Sequence, residues 1–418
     1  MTRLTGIALA FLMSVVFAVP AHAAPVKPGD FITPDNAASV VDLVSPGNFV
    51  LVRQGMQMRI VPTGQLDWPP SYKAATEKYS SQVALNQRGE LQNYVAGLPF
   101  PFLDPNDPQV ATKVVWNFSY RPENTDQGDI RNVETAMYRN VGSYGSFLSW
   151  ILPAEVNHST AARVAFYNNV GRTEVPPIPT DPLAGLTNVR YRFLAGPILE
   201  GGGSLIRLRY LDPGIDDDAW YFYLGRVSAS KLSAPLGATT LDPDSYSGFA
   251  AKVEDFNYQL LGIKPMLASV HAASAPAKHC QFDNGRTVCP ENWEMRQLYI
   301  IAATAKPRLG QQRNGIDTVS IPRRILYIDS EGWFITASDQ YDWDGVLWKT
   351  LAIFNAYRDR GMPEAHVAIY PFKRMFETAI VDEDIRTGMS SVSYMPGSED
   401  DEHEGWVIDS ESRNRNPG

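Results

Sequence analysis

The chain has 418 residues, a formal net charge of −9, 11% aromatic residues, and 31 each of glycine and proline. That length allows a sizeable core, in one large domain or two ordinary ones. An acidic chain without basic clusters has nothing with which to neutralise phosphates, so nucleic acid is excluded as a partner, and charge alone does not hold it to an anionic membrane. Many aromatics between many chain breakers point to short strands and turns, hence a β-rich fold.

The N-terminus reads as an export signal. Arg3 supplies a positive charge, and an apolar run from Ile7 to Val19 is broken only by Ser14. The run has the length of a signal-peptide core and falls short of a spanning helix. Pro20 ends it, and Ala21-His22-Ala23 offers a small-residue cleavage site. Cleavage after Ala23 is expected, which assigns 1–23 to the signal peptide and the mature chain to the periplasm. Losing Arg3 takes the charge from −9 to −10. No cysteine follows the apolar run, so a lipidated N-terminus is not expected.

Residues 24–125 read as a mixed, partly helical start. A short capped helix is expected from Asp35 to Val44, with Thr33-Pro34 opening it and Pro46-Gly47 stopping it. Met56 to Val61 suggests a strand, and Ser71 to Tyr79 a helix after Trp68-Pro69-Pro70. Ser81 to Leu85 and Glu90 to Val95 flank Asn86-Gln87-Arg88-Gly89 as a hairpin. Asp107-Pro108 opens a third helix, to about Phe118.

From about Arg131 the pattern changes to apolar and aromatic runs between turn signals. Val189 to Ala195, Leu205 to Leu211, Trp220 to Leu224, Gln297 to Ala303 and Trp333 to Ala337 are examples. Arg207-Leu208-Arg209-Tyr210 alternates as a half-buried strand should. Residues 126–375 are therefore expected to form an antiparallel meander rather than a βαβ repeat. The stretch 396–418, with Glu399-Asp400-Asp401-Glu402, reads as a flexible acidic tail.

The only cysteines are Cys280 and Cys289, with Asn284-Gly285 between them. A turn there would bring them together in an oxidising compartment, so a disulfide is expected, worth roughly 2–3 kcal/mol. His279 is adjacent, but two cysteines without a histidine pair make a poor zinc site.

No catalytic signature is present: no Gly-x-Ser-x-Gly elbow, phosphate loop, dinucleotide fingerprint or His-Glu-x-x-His. No enzyme, cofactor or metal is expected. Asp216-Asp217-Asp218 reads as a solvated turn. Asp339, Asp342 and Asp344 before Gly345 superficially resemble a calcium loop but lack its later bidentate glutamate, so a turn is expected there too. The aromatic set is the strongest binding signal. Alternation along Trp220-Tyr221-Phe222-Tyr223 sends Trp220 and Phe222 to one face and the tyrosines to the other. Trp220, Phe222, Phe249, Tyr258, Trp333, Tyr341 and Trp348 are the candidate wall of an apolar cavity, with Arg207 and Arg209 as candidate partners for an acidic head group. Ordinary core packing is the default for any one of these rings, and a surface strand position for the arginines.

Several segments together resemble one family: Ile60-Val61-Pro62-Thr63 with Trp68-Pro69-Pro70-Ser71-Tyr72, Tyr94-Val95-Ala96-Gly97-Leu98-Pro99-Phe100-Pro101, Asp242-Pro243-Asp244-Ser245-Tyr246-Ser247-Gly248-Phe249, Pro290-Glu291-Asn292-Trp293-Glu294-Met295-Arg296, Tyr327-Ile328-Asp329-Ser330-Glu331-Gly332-Trp333, and Asp339-Gln340-Tyr341-Asp342 before Leu347-Trp348-Lys349. They resemble the exported proteins of domain of unknown function family 1329, which are similar to outer-membrane lipoprotein-sorting proteins. The resemblance spans nearly all of the mature chain. It implies a lipoprotein-carrier-like domain over 24–395: a strongly curved antiparallel sheet forming an unclosed barrel, with short helices on its concave face. It also implies a periplasmic binding or shuttle protein for a lipid, acyl chain or other hydrophobic small molecule. The alternative is a non-catalytic accessory partner of an envelope exporter of hydrophobic compounds, and an inner-membrane exporter or an outer-membrane protein is the candidate protein partner.

Overall fold

The computed structural model describes residues 26–122, 127–139, 155–168, 187–195, 203–210, 218–223, 230–231, 248–249, 251–272, 281–283, 286–288, 290–306, 321–360, 369–394 and 398–399. The expected signal peptide, both cysteines, Asp216 and Asp217 lie outside them.

In chain order the strands are β1 (Phe31–Ile32), β2 (Met58–Ile60), β3 (Ala84–Leu85), β4 (Leu91–Gln92), β5 (Gln127–Arg139), β6 (Glu155–Asn168), β7 (Thr187–Ala195), β8 (Gly203–Tyr210), β9 (Asp218–Tyr223) and β10 (Ser230–Lys231). Then follow β11 (Phe256–Ala268), β12 (Gln281–Asp283), β13 (Arg286–Val288), β14 (Glu291–Ala305), β15 (Arg323–Asp329), β16 (Ile335–Tyr341), β17 (Leu347–Arg360), β18 (Ile369–Asp384), β19 (Met389–Tyr394) and β20 (Ser398–Glu399). The helices are α1 (Pro46–Gln54), α2 (Pro70–Tyr79) and α3 (Val110–Ser119).

Two expectations are corrected. Pro46-Gly47 does not stop a helix; it starts α1. Ser45 is the N-cap, its Oγ accepting from the Asn48 N–H at 3.0 Å, and proline suits the first helical position because it has no N–H to leave unpaired. The segment before it is a 3-10 turn over Pro34–Val40 rather than an α-helix. The meander also runs past residue 375, through β18 and β19 to Tyr394, and β20 pairs with β5 inside the expected acidic tail.

One antiparallel path orders the large sheet β11, β14, β15, β16, β17, β18, β19, β5, β6, β7, β8, β9, β10, with β2 added in parallel at Trp293 of β14. From β14 to β10 along this path the strands follow chain order except where β19 pairs with β5. The sheet curls into an unclosed barrel. Bulges at Leu260/Gly262, Tyr327/Ile328 and Phe354/Asn355 sharpen the bend. Beyond Ala352, where β16 leaves β17, the continuation of β11 takes its place: the Asn355 N–H donates to Ser269 O at 3.0 Å and the Ala272 N–H to Asn355 O at 2.8 Å.

Residues opposite each other in the ladder share a face. Ile301 pairs with Leu326, Ile328 with Ile335, and Ile353 with Ile380, and all six lie in one buried cluster with Val114, Val115 and Phe118 of α3. This is the α3 face. Their neighbours Ile300, Ala302, Ile325 and Tyr327 point the other way and form a separate cluster. On that other side α1 and the Pro34–Val40 turn pack against Ala352, Phe354, Ala379 and Val381. Runs such as Ile-Leu-Tyr-Ile in β15 are apolar at every position because both sides of this half of the sheet are covered.

Candidate functional site

The α3 face has a packed part and a continuation. In the packed part, Ala111, Val114, Val115 and Phe118 recur at helical spacing and carry α3 onto the sheet. Phe249 meets Phe256 edge to face at 5.2 Å between centroids, and Tyr258 at 6.4 Å. Trp333 stacks on Tyr299 at 5.7 Å. Trp333 holds φ at +62°, in the left-handed region, at the end of the turn linking β15 to β16. Asp329 fixes that turn by accepting from the N–H groups of Glu331 at 2.9 Å and Gly332 at 2.7 Å. Gly248 has φ +81°, and a Cβ there would lie 2.6 Å from Ile335, so the chain before Phe249 presses directly on the sheet.

The continuation follows from register. From Ile380 the α3 face passes to Ser393 and then Thr135. Bulges between Ile130 and Val133, and between Val133 and Thr135, add a residue to one strand but leave the paired residues on one face. The face then runs through Ile130, Val164, Phe193, Leu205 and Tyr221, one residue from each of β5 to β9. Phe166, Tyr191 and Arg207 form the adjoining row. Among the described residues, α3 makes its main sheet contacts on β11, while α1, on the other side, makes its own on β16 and β17.

The register divides the residues singled out from the sequence. Arg207 and Arg209 share the α3 face with Tyr191 and Val189. Trp220 is the partner of Ile206 and Phe222 of Ser204, on the opposite face from those arginines. Phe249, Tyr258 and Trp333 come together in the packed part. Tyr341 packs with the cluster on the other side. Trp348 donates from Nε1 to Asp384 at 3.2 Å beneath the Arg386 guanidinium. Tyr221, left out of the aromatic wall, is the register partner of Leu205 in the α3-face row.

Two buried polar groups escaped the sequence reading. Arg296 is 3% exposed, and each of its five N–H groups has an acceptor: Nε and Nη2 on Asp329, Nη2 on Glu331, and Nη1 on Gly64 O and Glu294. Burial alone would lower its pKa, but Asp329, Glu331 and Glu294 together raise it, so the cation is held. His271 Nδ1 lies 2.9 Å from the other oxygen of Glu294. Asp339, expected in a turn, is instead fully buried in β16. It accepts from Thr350 Oγ1 at 2.8 Å, Ser45 Oγ at 3.1 Å and the Gly47 N–H at 3.1 Å, which ties the start of α1 to the sheet. Burial pushes its carboxyl above the usual range, against those hydrogen bonds. Asp342 and Asp344 do form the turn, with Asp342 Oδ1 accepting from the N–H groups of Asp344 and Val346. Among the described residues no three His, Cys, Asp or Glu side chains are grouped to hold a metal, and no helix is long and apolar enough to cross a membrane.

No curated protein matches the chain. Solved structures similar to the chain at low identity include three. A DUF1329 family protein from Desulfovibrio piger is 12% identical, covering 70% of this chain and 92% of its own, with TM-score 0.41. A putative outer membrane lipoprotein-sorting protein domain from Vibrio parahaemolyticus is 11% identical, covering 72% and 95%, with TM-score 0.43. A LolA superfamily protein from Nitrosomonas europaea is 13% identical, covering 72% and 98%, with TM-score 0.37. The family model described as protein of unknown function (DUF1329) matches residues 31–401, and the chain belongs to that family.

Proposed function

We propose that the protein is an exported, periplasmic carrier for a hydrophobic ligand, a lipid or acyl chain. One observation carries the reading: by register the α3 face continues onto Ile130, Val164, Phe193, Leu205 and Tyr221, an apolar residue on each of β5 to β9. A tail laid along that row would gain about 25 cal/mol per Å² of apolar surface removed from water, less the cost of ordering it. Phe249, Tyr258 and Trp333 bound the covered end of the track, and Arg207 and Arg209 flank it. Export with cleavage after Ala23, and a Cys280–Cys289 disulfide closing the β12–β13 hairpin, whose outermost pair is Gln281 with Val288, belong to the same reading. The test is native mass spectrometry of the protein purified from its envelope, with displacement of a bound hydrophobic dye by palmitate. A co-purifying lipid and saturable displacement are expected; a clean apoprotein that takes up no dye would end the proposal.

A second reading, an accessory partner of an envelope exporter, draws on exposed apolar side chains. Phe102 is 93% exposed, and Trp343 is 65% exposed at the tip of the β16–β17 hairpin. Co-purification with a membrane complex that is lost on Trp343→Ser, with no ligand bound, would favour it.

A further inference from the structure

Arg324, Gln340 and Lys349 are successive cross-strand partners on β15, β16 and β17, and therefore share one face. Two residues along, Leu326, Ser338 and Leu351 form the adjoining row, and both leucines belong to the α3 core. The α3 face thus passes from apolar to polar within one step, and the polar row is itself buried, with Gln340 0% exposed, as is Ser338 in the adjoining row. The two cations are engaged. Lys349 Nζ donates to Asp382 at 3.2 Å, while Arg324 donates to Ile321 O at 2.8 Å and lies over the Phe256 ring at 5.3 Å. Gln340 is different. Neither its Oε1 nor its Nε2 has a hydrogen-bond partner, and nor does Ser338 Oγ.

A primary amide taken out of water with both ends unpaired is strongly unfavourable, and a fold that keeps one generally has something to complete it. We propose that Gln340, with Ser338 beside it, receives the head group of an amphiphile whose acyl tail lies along the α3 face. This rests on the carrier reading above and names the ligand's polar end. The head must accept from Nε2 and donate to Oε1. A carboxylate accepts only, and the neighbouring cations already have partners. The chemistry is therefore that of a neutral hydroxyl or amide head.

The test compares three probes with the same tail, 1-monopalmitoylglycerol, palmitamide and methyl palmitate, by dye displacement from the full-length mature protein. The first two are expected to bind about tenfold tighter than the ester, which cannot donate. Gln340→Met, which keeps the side-chain volume, is expected to close the gap to about twofold. Ser338→Ala serves as a second variant should the first fail to fold, and is expected to narrow the gap. Equal binding of all three probes, or a gap that survives both variants, overturns the head-group site and leaves the carrier standing, with ordered water as the partner of Gln340. No displacement by any probe overturns both.

Discussion

Arg296 and Asp329 meet through both carboxylate oxygens, Nε donating to Oδ2 at 2.8 Å and Nη2 to Oδ1 at 3.2 Å, in a pair closed to solvent. The same carboxylate holds the turn that leads to Trp333, so one ion pair joins β14, β15 and the hairpin tip. Removing one partner leaves the other charged and buried, which costs about 3–5 kcal/mol, whereas replacing both by apolar residues costs much less. Arg296→Met is therefore expected to lower the urea midpoint sharply, and Arg296→Met with Asp329→Leu to lose less than the sum of the two. A single-variant loss near zero would show that the pair is dispensable.

Gly47 admits no side chain. A Cβ there would stand 1.9 Å from Thr350 Oγ1 and 2.2 Å from Asp339 Oδ1. Gly47→Ala must push α1 off its carboxylate, at about 1–3 kcal/mol, although alanine is the better helix former. The check is thermal unfolding beside Gly55→Ala, which strains a left-handed cap at φ +132° instead. If Gly47→Ala stabilises the protein, the Asp339 anchor is misassigned.

Stability should fall as pH rises through the neutral range, and Glu383 is one source. Burial raises its pKa most; hydrogen bonds with Gln54 and Ser390 pull it down, and the charges of Asp382 and Asp384 push it up, to about 8 from an ordinary 4.5. The folded state therefore holds this proton more tightly than the unfolded chain. The stabilisation is fully present below pH 4.5 and is lost progressively up to about pH 8. Glu383→Gln mimics the protonated form. Relative to the parent it should gain about 3–5 kcal/mol across that window and nothing further above it. Parallel urea titrations at both ends would show this, and a pH-independent difference would contradict it.

The hairpin over β12 and β13 sets up a redox prediction. Gln281 pairs with Val288, and the cysteines adjoin that pair in sequence. The protein purified without reductant should resist thiol alkylation in denaturant until reduced, then take two labels. Reduction should cost roughly 2–3 kcal/mol of stability. Labelling without reductant would leave the loop unstapled.

Strand content was legible where apolar runs stand between turn residues, as in β14, β15 and β17, and α2 because Trp68-Pro69-Pro70 announces it; β11 was not, because Asn257, Gln259, Lys264 and Pro265 break up its apolar positions. The start of α1 was misread because Ser-Pro-Gly serves equally as a helix stop and as an N-cap followed by proline. What decides is Asp339, nearly three hundred residues away in sequence (|i−j| = 292 for its bond to Gly47), and no local pattern reveals that contact. Arg296 and Gln340 were invisible for a related reason. A charged or amide residue in a strand ordinarily marks the wet side, and only the register shows that these lie on covered faces. The split of Arg207 from Trp220 is likewise a matter of parity: they sit thirteen residues apart, yet the β8–β9 pairing, Ile206 with Trp220, fixes them on opposite faces.

Leu205 offers the sharpest test of the carrier reading, because it sits between Phe193 and Tyr221 in the row that register draws across β5 to β9. An arginine there would put a charge where a tail must lie, at a cost that exceeds the apolar contact it replaces. Leu205→Arg is therefore expected to weaken dye and palmitate binding about tenfold or more. Ile206→Arg, one residue on and on the opposite face, is the control. Loss of binding in the first variant alone, with both unfolding at similar urea midpoints, is the expected result. Equal loss in both would mean that the β5–β9 row does not discriminate between the faces, and the tail would have to lie elsewhere.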